Sequence, residues 1–369
     1  MPVTVDSSKI SKSRDPEERA SLQNAALDSI WERSWMKSVI SREETDRIVE
    51  ALEEAAAGMR ADSSRIVIVC DGIFHAMVRA MRDALAEERA REQLILTGDT
   101  LSAKDLSQVI RRISGRDVSL IVLAEGEESV SLLAAYTCIK KLIVERAGKK
   151  KSGRRITMIL GDGADYLRKE AQDEGLELIS LPDGVTSDCA AGTAAMILPI
   201  LLAGKNAEDY MTGFRTMAAD PWWDRDAADY GLDYREALKG TGSRPLREAV
   251  LYSQSELAGT ASYIAALHRR IGAAAGPYRI PADVPDRGMD YETHLFTLEE
   301  AEDIVLPLFP GGNLEGSLNG EAKTASEKLF ERMGGPRRIA LRTDSLGEEE
   351  FGRLMAYLQM SAAISAFDK

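Results

Sequence analysis

The segment Glu125-Gly126-Glu127-Glu128-Ser129 gathers three carboxylates and a hydroxyl around one glycine. It follows the continuously apolar run 118–123 and precedes 131–144, where Leu132, Leu133, Tyr136, Ile139 and Ile143 recur near helical spacing. Strand, sharp glycine turn at Gly126 and helix make an anion-binding site in many α/β proteins, because the first helical turn offers unpaired N–H groups. Here the turn carries anions of its own. A phosphate monoester bears about -1.5 to -2 charges at neutral pH. Two unit charges about 4 Å apart at an effective dielectric of 20 interact by roughly 4 kcal/mol. Solvent discounts that figure, yet two or three glutamates should still oppose phosphate by several kcal/mol, whereas a helix N-terminus returns only about 0.3–2 kcal/mol. Repulsion wins, and the carboxylates are expected to stabilise the helix start instead.

Other acidic residues point to the same place. Asp71, Asp162, Asp183 and Asp188 fall, with the glutamates, just after predicted strands. Such oxygens suit Mg²⁺, Ca²⁺ or an ammonium ligand; a solvated acidic rim is the competing reading, and no metal ligand set is assigned. His75 follows the first strand and is read as packed on a helix start, with a crevice-facing position as the alternative. His268, beside Arg269 and Arg270, reads as surface or interface. Glu292 and His294 form the one acid/histidine pair in their region and are the weak candidates for acid–base chemistry. The cysteines, Cys70, Cys138 and Cys189, lack metal-ligand spacing and read as reduced, buried thiols in the cytoplasm. A net charge of -13 argues against nucleic acid as a partner. The basic run Lys149-Lys150-Lys151 with Arg154 and Arg155 reads as a solvated helix end. No apolar run approaches the roughly 18–20 residues that span a bilayer, and the first residues lack a signal-peptide core, so no membrane association is expected.

These residues need elements to hold them. Strands are predicted over 65–70, 93–97, 118–123, 155–160 and 176–181, with helices over 76–88, 102–113, 131–144 and 164–174 between them. That alternation predicts a doubly wound α/β fold with a parallel sheet. Ligands gather at the C-terminal strand ends of such sheets, which places 70–74, 97–102, 124–129, 161–163 and 183–189 around one crevice. An apolar helix at 190–203, ended by Gly204, reads as buried, and 206–219 as a further helix. Residues 221–244 read as an inter-domain connection, with Trp222 and Trp223 plugging an interface. Beyond it, 248–271 reads as mostly helical and 272–288 as loops. Strands at 295–298 and 338–342 and helices at 322–333 and 348–366 predict a second, reduced α/β domain. The expected organisation is an N-terminal helical segment (1–45), a first domain (46–204), a shortened second domain (205–345) and a C-terminal helix (346–369).

Several stretches line up in order with one family. GDTLSAKDLSQVIRRISGRDVSLIVLAEGEESV resembles the stretch of phosphoglucose isomerases that leads into their Ser-Lys-Ser-Gly-Thr-Thr-Thr phosphate loop. LELISLPDGVTSDCAAGTAAMILPILLAGKN is similar to the segment carrying the family's Gly-Gly-Arg motif, and DIVLPLFPGGNLEGSLNGEAKTASEKLF with LRTDSLGEEEFGRLMAYLQMSAAISAF resembles its C-terminal region. The resemblance covers most of residues 30–367 and implies two sugar-isomerase (SIS) domains of flavodoxin-like type, no cofactor, and a homodimer. It also implies interconversion of glucose 6-phosphate and fructose 6-phosphate, but the functional positions depart from the pattern. Cys70-Asp71-Gly72-Ile73-Phe74 stands where the family has Gly-Ile-Gly-Gly-Ser, and only Gly72 matches. In the phosphate loop Gly126 and Ser129 match; Glu125 replaces a serine, and Glu127 and Glu128 replace threonines. Asp188 falls where the family has an arginine thought to steady the enediolate. Beyond Ala274 the chain is shorter than the family, its catalytic-base and ring-opening segments find no match, and Lys369 has no secure counterpart. The leading expectation is a non-catalytic binding or structural paralogue taking a sugar or a cationic small molecule. An active glucose-6-phosphate isomerase is the alternative, and an acidic-crevice sensor of a cation or amine the third.

Overall fold

The computed structural model describes residues 4–6, 16–31, 41–219, 221–280, 288–297, 317–331, 337–343 and 345–366. The chain forms two compact units: Glu32–Met211, and Met1–Trp31 together with Thr212–Lys369. The second unit therefore gathers in both ends of the chain, β1 (Thr4–Asp6) and α1 (Pro16–Trp31) from the start and α14 (Glu348–Ser365) from the end.

In the unit spanning Glu32–Met211, α2 (Arg42–Asp62) leads into β2 (Arg65–Val69), α3 (Gly72–Leu85), the short α4 (Glu88–Gln93) and β3 (Leu94–Thr97). Then come α5 (Ala103–Ile113), β4 (Val118–Ala124), α6 (Val130–Ala147), a four-residue α7 (Lys149–Ser152) and β5 (Ile156–Leu160). The unit ends with α8 (Asp165–Glu174), β6 (Glu177–Ser180) and α9 (Ala194–Leu202). The sheet order is β3-β2-β4-β5-β6 and all neighbours are parallel, in the register Arg65↔Val118 and Leu120↔Ile156. Counted from the unit's own first strand this is the 2-1-3-4-5 order of flavodoxin-like folds, whose switch point lies between β2 and β4. β4 is buried along its whole length, as a central parallel strand covered on both faces must be. Val67, Val122, Tyr136, Ile139, Met158 and Leu167 form one side of the core. Every residue of α9 is buried, so its lack of a polar face is explained by a position inside the unit.

α10 (Ala207–Ala219) carries the chain into the second unit. Residues 221–244, read from sequence as a connection, are largely a helix, α11 (Pro221–Gly240), which packs with α14 and α1. The charged residues along it hid its stripe of buried Tyr230, Tyr234 and Ala237. The side chains of Trp222 and Trp223 lie outside the described residues. The parallel strands are β7 (Leu246–Tyr252), β8 (Ala273–Arg279), β9 (Tyr291–Thr297) and β10 (Arg337–Thr343), with α12 (Ala258–Arg270) after β7 and α13 (Leu318–Phe330) before β10. β8 falls within 272–288, read from sequence as loop; its Ala-Ala-Ala-Gly-Pro composition has poor strand propensity, and pairing with β7 overrides it. Pro277 is tolerated because β8 is an edge strand. The order β8-β7-β9-β10 repeats the first sheet with one parallel strand fewer, and β1 closes the far edge, antiparallel to β10.

Candidate functional site

The C-terminal ends of β2, β3, β4, β5 and β6 bring together the loops expected around one crevice. Gly72 opens α3 in the left-handed region at φ +52, and its N–H donates to Asp99 Oδ1 at 2.8 Å. After β4, Glu125 accepts from the Ser187 N–H, which opens a 3-10 turn (Ser187–Cys189). Glu128 Oε1 accepts from the Leu167 N–H at 2.9 Å, within the first turn of α8. Ser129 is the N-cap of α6: its Oγ accepts from Leu132 N–H at 3.2 Å and lies 3.0 Å from Ser131 Oγ. A helix start leaves N–H groups without intrahelical partners. Three such donors, at the starts of α3, α8 and the 3-10 turn, are met here by carboxylates of the chain itself; the start of α6, which the glutamates were expected to stabilise, is capped by Ser129 instead.

Close approach fixes these loops. A Cβ on Gly161 would lie 2.5 Å from the Glu125 carbonyl oxygen, and one on Gly163 would lie 3.0 Å from Gly126 Cα. The glycine that the turn requires is therefore on the β5 side. Gly126 itself, expected to make the sharp turn, is not among the glycines of positive φ, and a Cβ there would meet nothing within 4 Å. Arg168 ties the neighbouring loops, donating to the Gly161 carbonyl at 3.0 Å and to Ser180 Oγ at 3.1 Å.

The remaining crevice residues divide by exposure. Asp71 is half-buried; burial pushes its carboxyl up from the usual range, a hydrogen bond from Ser129 opposes, and Asp99 and Glu125 add to the rise. His75 stands on the first turn of α3 with Nδ1 3.7 Å from Asp99 Oδ2, and burial lowers its pKa against the pull of Asp99. Asp188 accepts from Thr186 Oγ1 at 2.6 Å. Glu127, Asp162 and Asp183 are exposed. Burial raises the Cys70 and Cys189 thiols, which disfavours thiolate chemistry at either. Among the described residues no group of three or more His, Cys, Asp or Glu side chains comes together in a way that could hold a metal ion. Beside the crevice loops, a largely apolar hollow of about 370 Å³ opens between Thr45 and Ile48 of α2, Leu181 and Pro182 after β6, and Thr193 at the start of α9.

The two weak acid–base candidates lie in the other unit, inside the sheet. Glu292 and His294 are both buried on β9; Glu292 Oε2 accepts from Arg338 Nε at 2.9 Å and lies 3.2 Å from His294 Nε2. His294 packs edge-on against Phe330, 5.2 Å between centroids. On the opposite face of the same sheet Glu248 is fully buried, accepting from Tyr234 Oη at 2.6 Å and Thr293 Oγ1 at 2.8 Å, with His268 Nδ1 at 2.7 Å. His268 is 2% exposed and stacks on Tyr234 inside its unit, where its arginine neighbours had suggested a surface or interface position. Sequence reasoning missed this network and Asp99. The signals were Tyr230 and Tyr234 at i,i+4 spacing and the Gly98-Asp99 pair after β3.

No family model matches the sequence. The glucose-6-phosphate isomerase of Symbiobacterium thermophilum is 26% identical over 88% of this chain and 79% of its own length. That of Streptococcus pneumoniae is 24% identical over 52% of this chain, so the match spans less than half (44%) of the Streptococcus enzyme. Among solved structures, a hypothetical protein from Thermus thermophilus superposes with a TM-score of 0.80 at 16% identity, covering 98% of this chain and 93% of that one. A glucose-6-phosphate isomerase from Chlamydia trachomatis gives 0.70 at 13% identity, covering 99% and 84%. Along most of its length the sequence is similar to glucose-6-phosphate isomerase, and the chain shares the parallel-sheet α/β fold of a solved structure of that enzyme.

Proposed function

We propose that the protein is a non-catalytic paralogue of these isomerases, with a binding or structural role, in which carboxylates of the chain occupy helix-start amides around the crevice. One observation carries the reading: Gly72, Leu167 and Ser187 each direct a helix-start N–H to Asp99, Glu128 and Glu125 respectively. A phosphate arriving there would need those donors and would meet the displaced carboxylates at close range. Both effects oppose it, by several kcal/mol on the Coulomb scale of roughly 4 kcal/mol per charge pair about 4 Å apart. The ligand on this reading is an uncharged or cationic small molecule, and a homodimer in the cytoplasm is the working assembly. Among the described residues no helix is long and apolar enough to cross a membrane.

A second reading, an active glucose-6-phosphate isomerase, draws support from the 26% identity to the Symbiobacterium enzyme. It needs a carboxylate base and a ring-opening group at a sugar. Glu292 and His294 would serve only if Glu292 were released from Arg338. A coupled isomerase assay on the purified chain separates the readings. Turnover of fructose 6-phosphate indistinguishable from the buffer blank, with no rise in melting temperature at millimolar sugar phosphate, is the expected result. Saturable turnover abolished by Glu292→Gln would replace the first reading with the second.

A further inference from the structure

At the opposite end of the first sheet from the crevice, the C-terminal turn of α5, the start of β4 and the last turns of α6 enclose a pocket of about 340 Å³. Its floor is apolar, made by Ile113, Val118 and Ile143, all buried, with Leu142 beside them. Its rim is cationic, made by Arg116, Arg146 and Arg155 from three different elements. Asp117 Oδ1 accepts from Arg146 Nε at 3.3 Å and from Arg155 Nη1 at 3.2 Å, and the two guanidiniums hold its carboxyl below the usual range. The other rim acid, Glu145, is exposed and stands 3.9 Å from Lys141. Three guanidiniums thus stand against two carboxylates, Asp117 and Glu145, an excess of positive charge on a chain whose net charge is -13. Each guanidinium carries five N–H donors in a planar fork, so sharing one oxygen of Asp117 leaves donors for a second anion.

Cations at helix C-termini are common, and α5 and α6 both end here, so the arginines alone would call for nothing more. The apolar floor beneath them is what that account omits. A volume near 340 Å³ sits at the small end of the ligand range, roughly 300–1,000 Å³. We propose that this pocket binds a small amphipathic anion: a carboxylate or phosphate head forked by Arg116 and Arg155, with a compact apolar body on Ile113 and Leu142. The site is separate from the crevice and does not depend on how that crevice functions.

The test uses the full chain at low ionic strength, with hexanoate and phenyl phosphate as probes and hexanol, hexylamine and inorganic phosphate as controls, read by titration calorimetry. The expected result is saturable binding of at least one probe, at least tenfold tighter than hexanol, hexylamine or inorganic phosphate. Arg116→Glu, an exposed position, should weaken it tenfold or more without changing the melting temperature of the free protein. Arg155→Gln should weaken it as well. Which head binds tells carboxylate from phosphate. Absence of binding by both probes, equal binding of hexanol, or binding that survives Arg116→Glu would overturn the proposal.

Discussion

Replacing Glu125 and Glu128 together by Ser and Thr should destabilise the protein in plain buffer and give it an affinity for phosphate that the parent lacks. Each carboxylate caps one helix start, through Ser187 and Leu167. Losing an N-terminal cap costs typically ~1 kcal/mol. A hydrogen bond to a charged group is worth more, about 1.5–3 kcal/mol, but both glutamates are partly solvated, so the lower figure applies. The two bonds serve different helix starts, and their losses should add to roughly 2 kcal/mol. For a domain of this size that is about 4–8 °C in melting temperature. The freed N–H groups then resemble an ordinary anion cradle. Inorganic phosphate at a hundred times its Kd would return about 2.7 kcal/mol to the variant. The assay is thermal unfolding of parent and variant in phosphate, against chloride at matched ionic strength. A parent stabilised by phosphate as strongly as the variant would refute the argument, because its amides would then be open to an outside anion. So would a variant as stable as the parent in chloride.

The other expectations concern single groups. Gly161→Ala places a Cβ 2.5 Å from the Glu125 carbonyl oxygen and should cost about 1–3 kcal/mol, while Gly126→Ala, with open space around it, should stay within about 0.5 kcal/mol in denaturant titration. Lys140 bridges Glu170 and Glu174 at 2.5 and 2.6 Å; burial works against its charge, but those hydrogen bonds prevail and raise its pKa from the usual lysine value. A raised lysine pKa stabilises fully below the unfolded value and is lost as pH climbs through the folded one. Lys140→Met should therefore cost about 1–2 kcal/mol at pH 7, and the gap should close above about pH 10.5 in alkaline unfolding curves. His268→Phe removes one partner of the fully buried Glu248, beside its Tyr234 and Thr293 donors, and should cost about 2–4 kcal/mol in chemical denaturation of the full chain.

Much of the fold was legible because hydrophobic period and strand–helix alternation are local signals. The run 118–123 reads as a buried parallel strand and lies within one, Val118–Ala124, and the gathering of loops at the C-terminal strand ends follows from the alternation. The second unit was harder, since its signals are non-local. β8 has a composition that only pairing with β7 makes a strand, and β1 lies more than three hundred residues from its partner β10. At the site, the acids were visible but their targets were not. Which amide a glutamate meets depends on where another loop turns, and Leu167 and Ser187 carry no sequence mark of being donors. His268 was misplaced for a related reason: Glu248, which holds it, is 20 residues away and on another element.

The sign of the charge therefore matters less to this fold than where the charge comes from. A helix start at the end of a parallel strand favours an anion whether or not a substrate provides one. An enzyme that borrows the anion from a sugar phosphate leaves those donors to water between turnovers, and gains when the ligand arrives. A chain that builds the anion in, as Asp99, Glu125 and Glu128 do, has its helix starts satisfied at all times. On the proposed reading the framework keeps its stability with no ligand bound, and the bonds that secure it occupy three amides at these helix starts. Both sheets can persist on these terms, because nothing in their packing requires the sugar phosphate.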